Sequence, residues 1–330
     1  MDTAIDTPPS PFHAGERELQ QRAGVAERME QVGRVIIRDH MPEQHRELFT
    51  KLPFMIVGSL DAQQRPWASV VAGRPGFVAA PDDRHLVFHT QLAAADPLRA
   101  NLAPGAPVGL LGIEPHTRRR NRMNGVVSAL DAMGFAVEVR QSFGNCPKYI
   151  QAREPHWVDE PVSMADVRPV IEEGALLSDE AVRAIRAADT FFIASASPDA
   201  QRSGPGEGVD VSHRGGKPGF VRVTQESGAT LLTVPDFIGN FLFNTLGNLL
   251  VHPAAGLLFI DFERGDLMWL QAQGEVVWDG EEVSAYAGAQ RLLKLRVTGG
   301  RRVAGALPLR FGAAEPAVQL AAMGAWPDAA

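Results

Sequence analysis

The segment SHRGGKPGF (212–220) gathers groups that can meet an anion within six positions. Ser212 brings a hydroxyl, His213 an imidazole, and Arg214 and Lys217 two cations. Gly215 and Gly216 add backbone N–H groups. Such a set can cradle a phosphate. It also suits an exposed basic β-turn. A second segment, SVVAGRPGF (69–77), matches the first without a gap at an offset of 143 and has Val70 and Val71 in place of His213 and Arg214. A merely solvated turn has no reason to become apolar in its twin, whereas a loop with a task in one copy does.

Two further stretches carry polar side chains at suggestive spacing. VPDFIGNFLFNTLGN (234–248) supplies Asp236, Asn240, Asn244, Thr245 and Asn248. Its pattern predicts a loop and a helix start, with Asn240 or Asn244 as N-cap. Free N–H groups there suit an anion, although simple capping accounts for them too. In HTRRRNRMNG (116–125), a strand would put Arg118, Arg120 and Arg122 on one face. The matching LMWLQAQG (267–274) has no charge. Protection of a sheet edge by charge is the competing reading. SFGNCPKYIQ (142–151) follows with Asn145, Cys146, Lys148 and Tyr149. Lys148 could activate the thiol. No His-plus-acid constellation accompanies it, so Cys146 reads as a packed structural residue. Of the nine histidines, only His85 and His89 stand four apart, in HLVFH, a run that reads as a strand and would hold them too far apart to share one metal ion; there is no H-E-x-x-H, C-x-x-C or G-x-S-x-G. Structural zinc and hydrolase chemistry are disfavoured.

These residues need elements to hold them. The 330 residues suggest about two domains. The 45% apolar and 22% charged composition is that of a globular chain, and a net charge of −7 argues against non-specific nucleic-acid binding. One cysteine excludes an intrachain disulfide and fits a reducing compartment. No secretory signal pattern opens the sequence, and no apolar run approaches the ~20 residues of a membrane helix. A cytoplasmic protein is expected. Residues 1–12 read as a disordered arm, 14–31 as a helix, and a short helix should start at Pro42. FMIVGSL, ASVVAG, LVFHTQL and VGLLGIE then read as strands between turns. Ser178 is a candidate N-cap for another helix, after which a second strand series begins at TFFIASAS. PFMIVGSLD matches TFFIASASPD at an offset of 137, and VGLLGIE matches AGLLFID at 147. One duplicated unit with small insertions accounts for these offsets. The expected division is an N-terminal arm with helices (1–49), a first barrel (50–160), a helical linker (161–187) and a second barrel with a tail (188–330).

The strings QHRELF, RPWAS, RPGF, RRRNRMNG, SFGNCPKYIQ, SHRGGKPGFV, VPDFIGNFLFNTLGN and ALPLRF together resemble the pyridoxamine 5′-phosphate oxidase-like family of FMN-binding split barrels. The resemblance covers both halves and is similar to the tandem module that can precede a ferredoxin-reductase-like region. It implies a mainly β fold with flanking helices, in which two split barrels form an intrachain pseudo-dimer. It further implies FMN between the barrels and oxidoreductase chemistry on a small molecule. No G-x-G-x-x-G or cysteine cluster follows ALPLRF, so electrons are expected from a nicotinamide or a separate reductase. A monomeric pseudo-dimer or a homodimer is expected, with no nucleic acid or membrane as partner.

On this resemblance the cofactor residues are Ser212, His213, Arg214, Lys217, Asp236, Asn240, Asn244, Thr245 and Asn248 from the second half, with Arg118, Arg120 and Arg122 from the first. Phe241 and Leu242 stand where the family often has cations. In the first half, Ala94, Ala95 and Asp96 stand near a missing basic pair, and a carboxylate there would repel a phosphate. One FMN per chain is the expectation. No catalytic acid or base is evident, and the C-terminal stretch lacks the substrate signature of the true oxidase. A non-enzymatic flavin or haem-type binder, and an interaction module that has lost the flavin, are the alternatives.

Overall fold

The computed structural model describes residues 9–158, 166–202, 204 and 206–326. Three helices come first: α1 (Ala14–Arg22), α2 (Ala26–Ile36) and α3 (Glu43–Lys51). The single helix expected over 14–31 is interrupted because Gly24 adopts φ +68°, a conformation that ends a helix. A capping box between His13 and Glu16 starts α1. Pro42 caps α3 rather than opening it. Residues 1–8 of the expected disordered arm lie outside the described residues. Phe12, at the arm's end, is 2% exposed and packs with Met29, Phe143 and Leu242, because the ring has an apolar seat there.

The first half continues with β1 (Phe54–Leu60), β2 (Pro66–Ala72), β3 (Val78–Ala79), β4 (His85–His89), α4 (Leu98–Asn101), β5 (Pro107–Glu114), β6 (Arg119–Asp131) and β7 (Gly134–Gly144). Two short strands, β8 (Pro155–Trp157) and β9 (Ile171–Glu173), and then α5 (Asp179–Ala187) precede the second half. Ser178 caps α5, as its position predicts. The second half runs through β10 (Thr190–Ala196), β11 (Val209–Gly215), β12 (Arg222–Glu226), β13 (Ala229–Asp236), α6 (Asn244–Val251), β14 (Ala254–Ile260), β15 (Leu267–Val277), α7 (Glu281–Ser284) and β16 (Arg291–Val303). A last strand, β17 (Leu309–Phe311), pairs back onto β8.

The two large sheets have one topology. The first is ordered β2-β1-β5-β6-β7-β4-β3 and the second β11-β10-β14-β15-β16-β13-β12, with β9 added on β16. Every pairing between these strands is antiparallel, as split-barrel architecture requires. Register makes the equivalence residue by residue. Ile56 pairs with Val70 and Leu111, whereas Phe192 pairs with His213 and Leu258. Val70 and His213 are therefore counterparts, as the sequence offset of 143 predicts, whereas Ile56 and Phe192 correspond at 136, one residue short of the 137 read from the sequence. Asn101 donates to Ser59 at 3.0 Å, and its counterpart Asn248 donates to Ser195 at 3.1 Å.

The halves meet in a self-complementary way. A Cβ on Gly109 of β5 would strike the Val209 carbonyl of β11. A Cβ on Gly256 of β14 would strike the Pro66 carbonyl of β2. Gly109 and Gly256 are counterparts, as are Val209 and Pro66, so each half presents the same surface to the other, as in an isologous dimer. One apolar core fills each barrel. A third joins them, uniting Ile56, Trp67 and Leu111 with Phe192, Leu258 and Trp269. Continuous apolar strands such as β1 and β10, buried at every residue, supply both a barrel and this shared core. Among the described residues no helix is long and apolar enough to cross a membrane.

Candidate functional site

A cleft of about 950 Å³, counting space open to solvent, lies between the halves. The first half contributes Arg120 and Arg122 from β6 and Asn145, Cys146, Lys148 and Tyr149 from the turn after β7. The second contributes Ser212, His213 and Arg214 from β11, Asp236 from the end of β13, the loop to α6, and Arg291 from the start of β16.

Charge in the cleft is lopsided. Arg120, Arg122, Lys148, Arg214 and Arg291 line it, against the single carboxylate of Asp236. Asp236 pairs with both Arg214 and Arg291, the latter at 2.8 Å. Arg122 pairs at 2.9 Å with Asp210, which lies behind the lining. Among the described residues neither Arg120 nor Lys148 has a carboxylate partner. The Nε of Arg120 donates to the Cys146 carbonyl at 2.8 Å. Burial, and then the charges of Arg122 and Arg214, press the pKa of Arg120 down to about 10. It stays protonated at neutral pH, as a cation short of a counter-anion. His213 is pushed well below its ordinary range by burial and then by Arg120, Arg214 and Arg153, so its imidazole is neutral.

Hydroxyls sit beside these cations. Arg122 donates to the Ser212 oxygen, and Thr245 lies 2.9 Å from the same oxygen. Arg122 can only donate, so one O–H of the Ser212–Thr245 pair is used within the pair and the other is left to point elsewhere. The Nδ2 of Asn145 and the Nε of Arg214 are buried without a hydrogen-bond partner. Toward the rim the lining turns aromatic. The rings of Tyr149 and Phe237 lie 4.9 Å apart, and the Tyr149 hydroxyl donates to the Ile238 carbonyl at 3.2 Å. Tyr149, Phe241 and Phe243 all have positive φ, at 65°, 60° and 62°. Backbone strain of this kind concentrates where a site must be shaped.

Nine of the twelve residues singled out in the sequence line this cleft: Arg120, Arg122, Ser212, His213, Arg214, Asp236, Asn240, Asn244 and Thr245. Three do not. Arg118 precedes β6 at φ 56° and reaches Glu315 at 2.9 Å, so it does not share a strand face with the other arginines. Lys217 donates to the Met323 carbonyl at 2.6 Å. Asn248 is spent on Ser195 and Asp210, both at 3.1 Å. Neither Asn240 nor Asn244 is the N-cap of α6. Phe243 holds that position, with no side-chain cap, because the turn needs its left-handed backbone. Asn240 instead accepts from Leu242 N–H at 3.1 Å and donates to Asn145 at 3.3 Å, tying the halves together. Arg291 and Phe237 went unmarked in the sequence. Only the β13–β16 register, which sets Arg291 opposite Asp236, exposes the former.

The residues fit a group with a phosphate and a flat apolar ring, since surplus cations and a spare hydroxyl proton adjoin aromatic rings. Among the described residues no group of three or more His, Cys, Asp or Glu could hold a metal ion.

No curated protein matches the chain. Residues 41–159 match the family model for pyridoxamine 5′-phosphate oxidase. Among solved structures, the chain is similar to an oxidase-like protein of Lactobacillus delbrueckii, at 14% identity over 38% of this chain and 93% of that one, with a TM-score of 0.29. A related protein of Corynebacterium glutamicum gives 13% identity over 41% and 99%, with a TM-score of 0.24. HutZ, a haem storage protein of Vibrio cholerae, gives 14% over 38% and 94%, with a TM-score of 0.25. The matched residues span β1 to β8 and include the cleft's Arg120 and Arg122, so over this first half the chain is similar to the pyridoxamine 5′-phosphate oxidase family.

Proposed function

We propose that the chain binds one FMN in the interbarrel cleft and serves as a flavin-dependent oxidoreductase acting on a small molecule. The observation that carries this reading is the pairing of surplus positive charge with aromatic cover in one cleft fed by both halves. Arg120 and Arg214 would hold the phosphate from opposite barrels, and the free hydroxyl of Ser212 or Thr245 would donate to it. Tyr149, Phe237 and Phe243 would cover apolar ring surface. Bound FMN supplies hydride or electron chemistry. The chain's own part is placement: cations fix the phosphate end, and the Asn145–Asn240 and Tyr149–Ile238 bonds hold the rim across the two barrels. His213 is neutral and buried, so it is not a ready proton donor at neutral pH.

The test is the visible spectrum of the purified protein, with mass spectrometry of whatever denaturation releases. A flavin band and released FMN support the reading, and oxidation of NADH or NADPH with turnover supports an enzyme over a carrier. A Soret band with iron replaces flavin by haem. A colourless protein that ignores added FMN overturns both.

A further inference from the structure

The first helix lies outside the residues matched to the family, yet it is seated against the cleft. A Cβ on Gly15 of α1 would collide with the Gly247 carbonyl of α6, and one on Gly247 would collide with Glu16. The two helices therefore touch backbone to backbone. At this contact Glu16 is 2% exposed. One carboxyl oxygen accepts from His13 N–H at 3.0 Å, and the other from the Asn244 side chain at 2.5 Å. Asn244 is the first residue of α6 and lines the cleft.

We propose that the buried carboxyl of Glu16 is a positioning group for the anion site, holding Asn244 at the cleft while uncharged and weakening anion binding when it ionises. Charge counting supports this. Near Glu16 lie the guanidinium of Arg122, in the cleft lining, and the carboxylate of Asp210 behind it, already paired with each other and joined by Asn124 at 2.7 Å and Asn248 at 3.1 Å. His13 is kept neutral by burial, against the pull of Asp210 and Glu207, and Arg17 opposes its protonation. A second buried negative charge has no counter-ion there. Burial and the charge of Asp210 hold the Glu16 carboxyl well above its ordinary range, and the bonds from His13 and Asn244 and the charge of Arg122 oppose this only in part. The group thus keeps its proton into a range where an exposed glutamate has lost it. Once ionised, it sets a negative charge one hydrogen bond behind a cleft residue. Anion affinity should then fall as pH rises.

The proposal rests on the FMN reading in one arm of its test only. FMN and riboflavin affinities are measured from about pH 5.5 to about pH 9 for the wild-type chain and Glu16→Gln, which keeps an acceptor for Asn244 without the charge. The ratio of the variant's FMN affinity to the wild type's should rise about tenfold with pH, a usual size for coupling between sites, while riboflavin shows no such trend. Taking the ratio cancels the titration of FMN itself. A ratio that stays flat, or a riboflavin trend equal to that of FMN, overturns the proposal. Glu16→Met reads the same quantity if Glu16→Gln fails to fold. The second arm uses sulfate, which does not titrate in this range, with thermal stabilisation as readout. If neither protein binds flavin, the FMN reading fails and sulfate decides. Stabilisation that fades with pH in the wild type alone supports the role of Glu16. Equal stabilisation in both proteins, or none, overturns it.

Discussion

The cleft has a counterpart across the interface, related by the same strand registers, and the two have diverged in opposite directions. On β6 the cleft has Arg120, Arg122 and Asn124, whereas the matching positions of β15 are Leu267, Trp269 and Gln271. On β11 it has Asp210, Ser212 and Arg214, whereas β2 has Trp67, Ser69 and Val71. Trp269 is fully buried and joins the shared apolar core. Ser69 donates to Asp96, which is 4% exposed. Gln271 donates to the Pro66 carbonyl at 2.5 Å. One copy thus gathers cations around a space, and the other packs the corresponding space with an indole and a buried acid. A duplicated interface has two such places, and only one need stay open for function.

The largest effect should come from Arg122. Its guanidinium is the charge partner of Asp210, and both are buried. Arg122→Ala leaves Asp210 with only the neutral donors Asn124 and Asn248. Denaturant unfolding should show a loss of about 3–5 kcal/mol, the usual result of removing one partner of a buried pair. A loss below about 1 kcal/mol would mean that neutral hydrogen bonds suffice there, and the charge contrast between the two places would lose its structural meaning.

Asp96 probes the closed place through pH. Burial raises its pKa to about 7, with the bonds from Ser69 and Leu98 N–H and the charge of Arg301 opposing the rise. The folded state therefore holds the proton more tightly than the unfolded chain. Its contribution to stability is full below pH 3.8, the unfolded value, and is lost as pH rises through about 7. Asp96→Asn removes that slope. The difference in unfolding free energy between variant and wild type should change by about 2–4 kcal/mol between acid and mildly alkaline pH. Parallel pH profiles would show that Asp96 ionises freely and that the closed place is wetter than its burial indicates.

Arg214 tests the open place. Its counterpart is Val71, and under the proposed reading it is the cation that meets the anion. Arg214→Ala should weaken FMN by about 1.5–3 kcal/mol, roughly tenfold to a hundredfold, and riboflavin much less. Arg214 also pairs with Asp236, which keeps Arg291 as a second partner and should stay in place. Titration should saturate at about one FMN per chain under this model. Equal weakening of both ligands, or two equivalents of flavin, would break the asymmetry.

Much of this was legible in the sequence because duplication supplies an internal control. Val70 opposite His213 is visible by offset alone, and strand pairing bears it out; matching RRRNRMNG to LMWLQAQG sets Leu267 opposite Arg118, and strand pairing corrects this to Arg120. What stayed hidden depends on long-range geometry. Arg291 gains meaning only from the strand that sets it beside Asp236. Arg118 looks like its neighbours until a positive φ removes it from the strand. The capping role expected of Asn240 or Asn244 failed because capping rules score side chains, whereas α6 begins from a strained backbone at Phe243. Nothing in the sequence of 14–31 sets Glu16 apart, because its burial depends on the close approach of α6.

Lys217 should give the smallest effect. In sequence it belongs with Arg214, and its counterpart is Arg74. The twin comparison separates the two cations of the loop. Arg214 has an apolar counterpart, but Lys217 and Arg74 are both basic and both turn away to hold a following segment. The Arg74 guanidinium lies 4.9 Å from the centre of the Trp157 ring, and Lys217 reaches the Met323 carbonyl. A residue that does the same structural work in the open and the closed half cannot be what distinguishes them. Lys217→Ala should therefore change FMN affinity by less than about twofold, with the larger response in the packing of residues 317–326 and a stability loss of about 1 kcal/mol. If FMN weakens as much as in Arg214→Ala while riboflavin does not, Lys217 leaves Met323 to meet the phosphate, and the two halves differ at this turn as well.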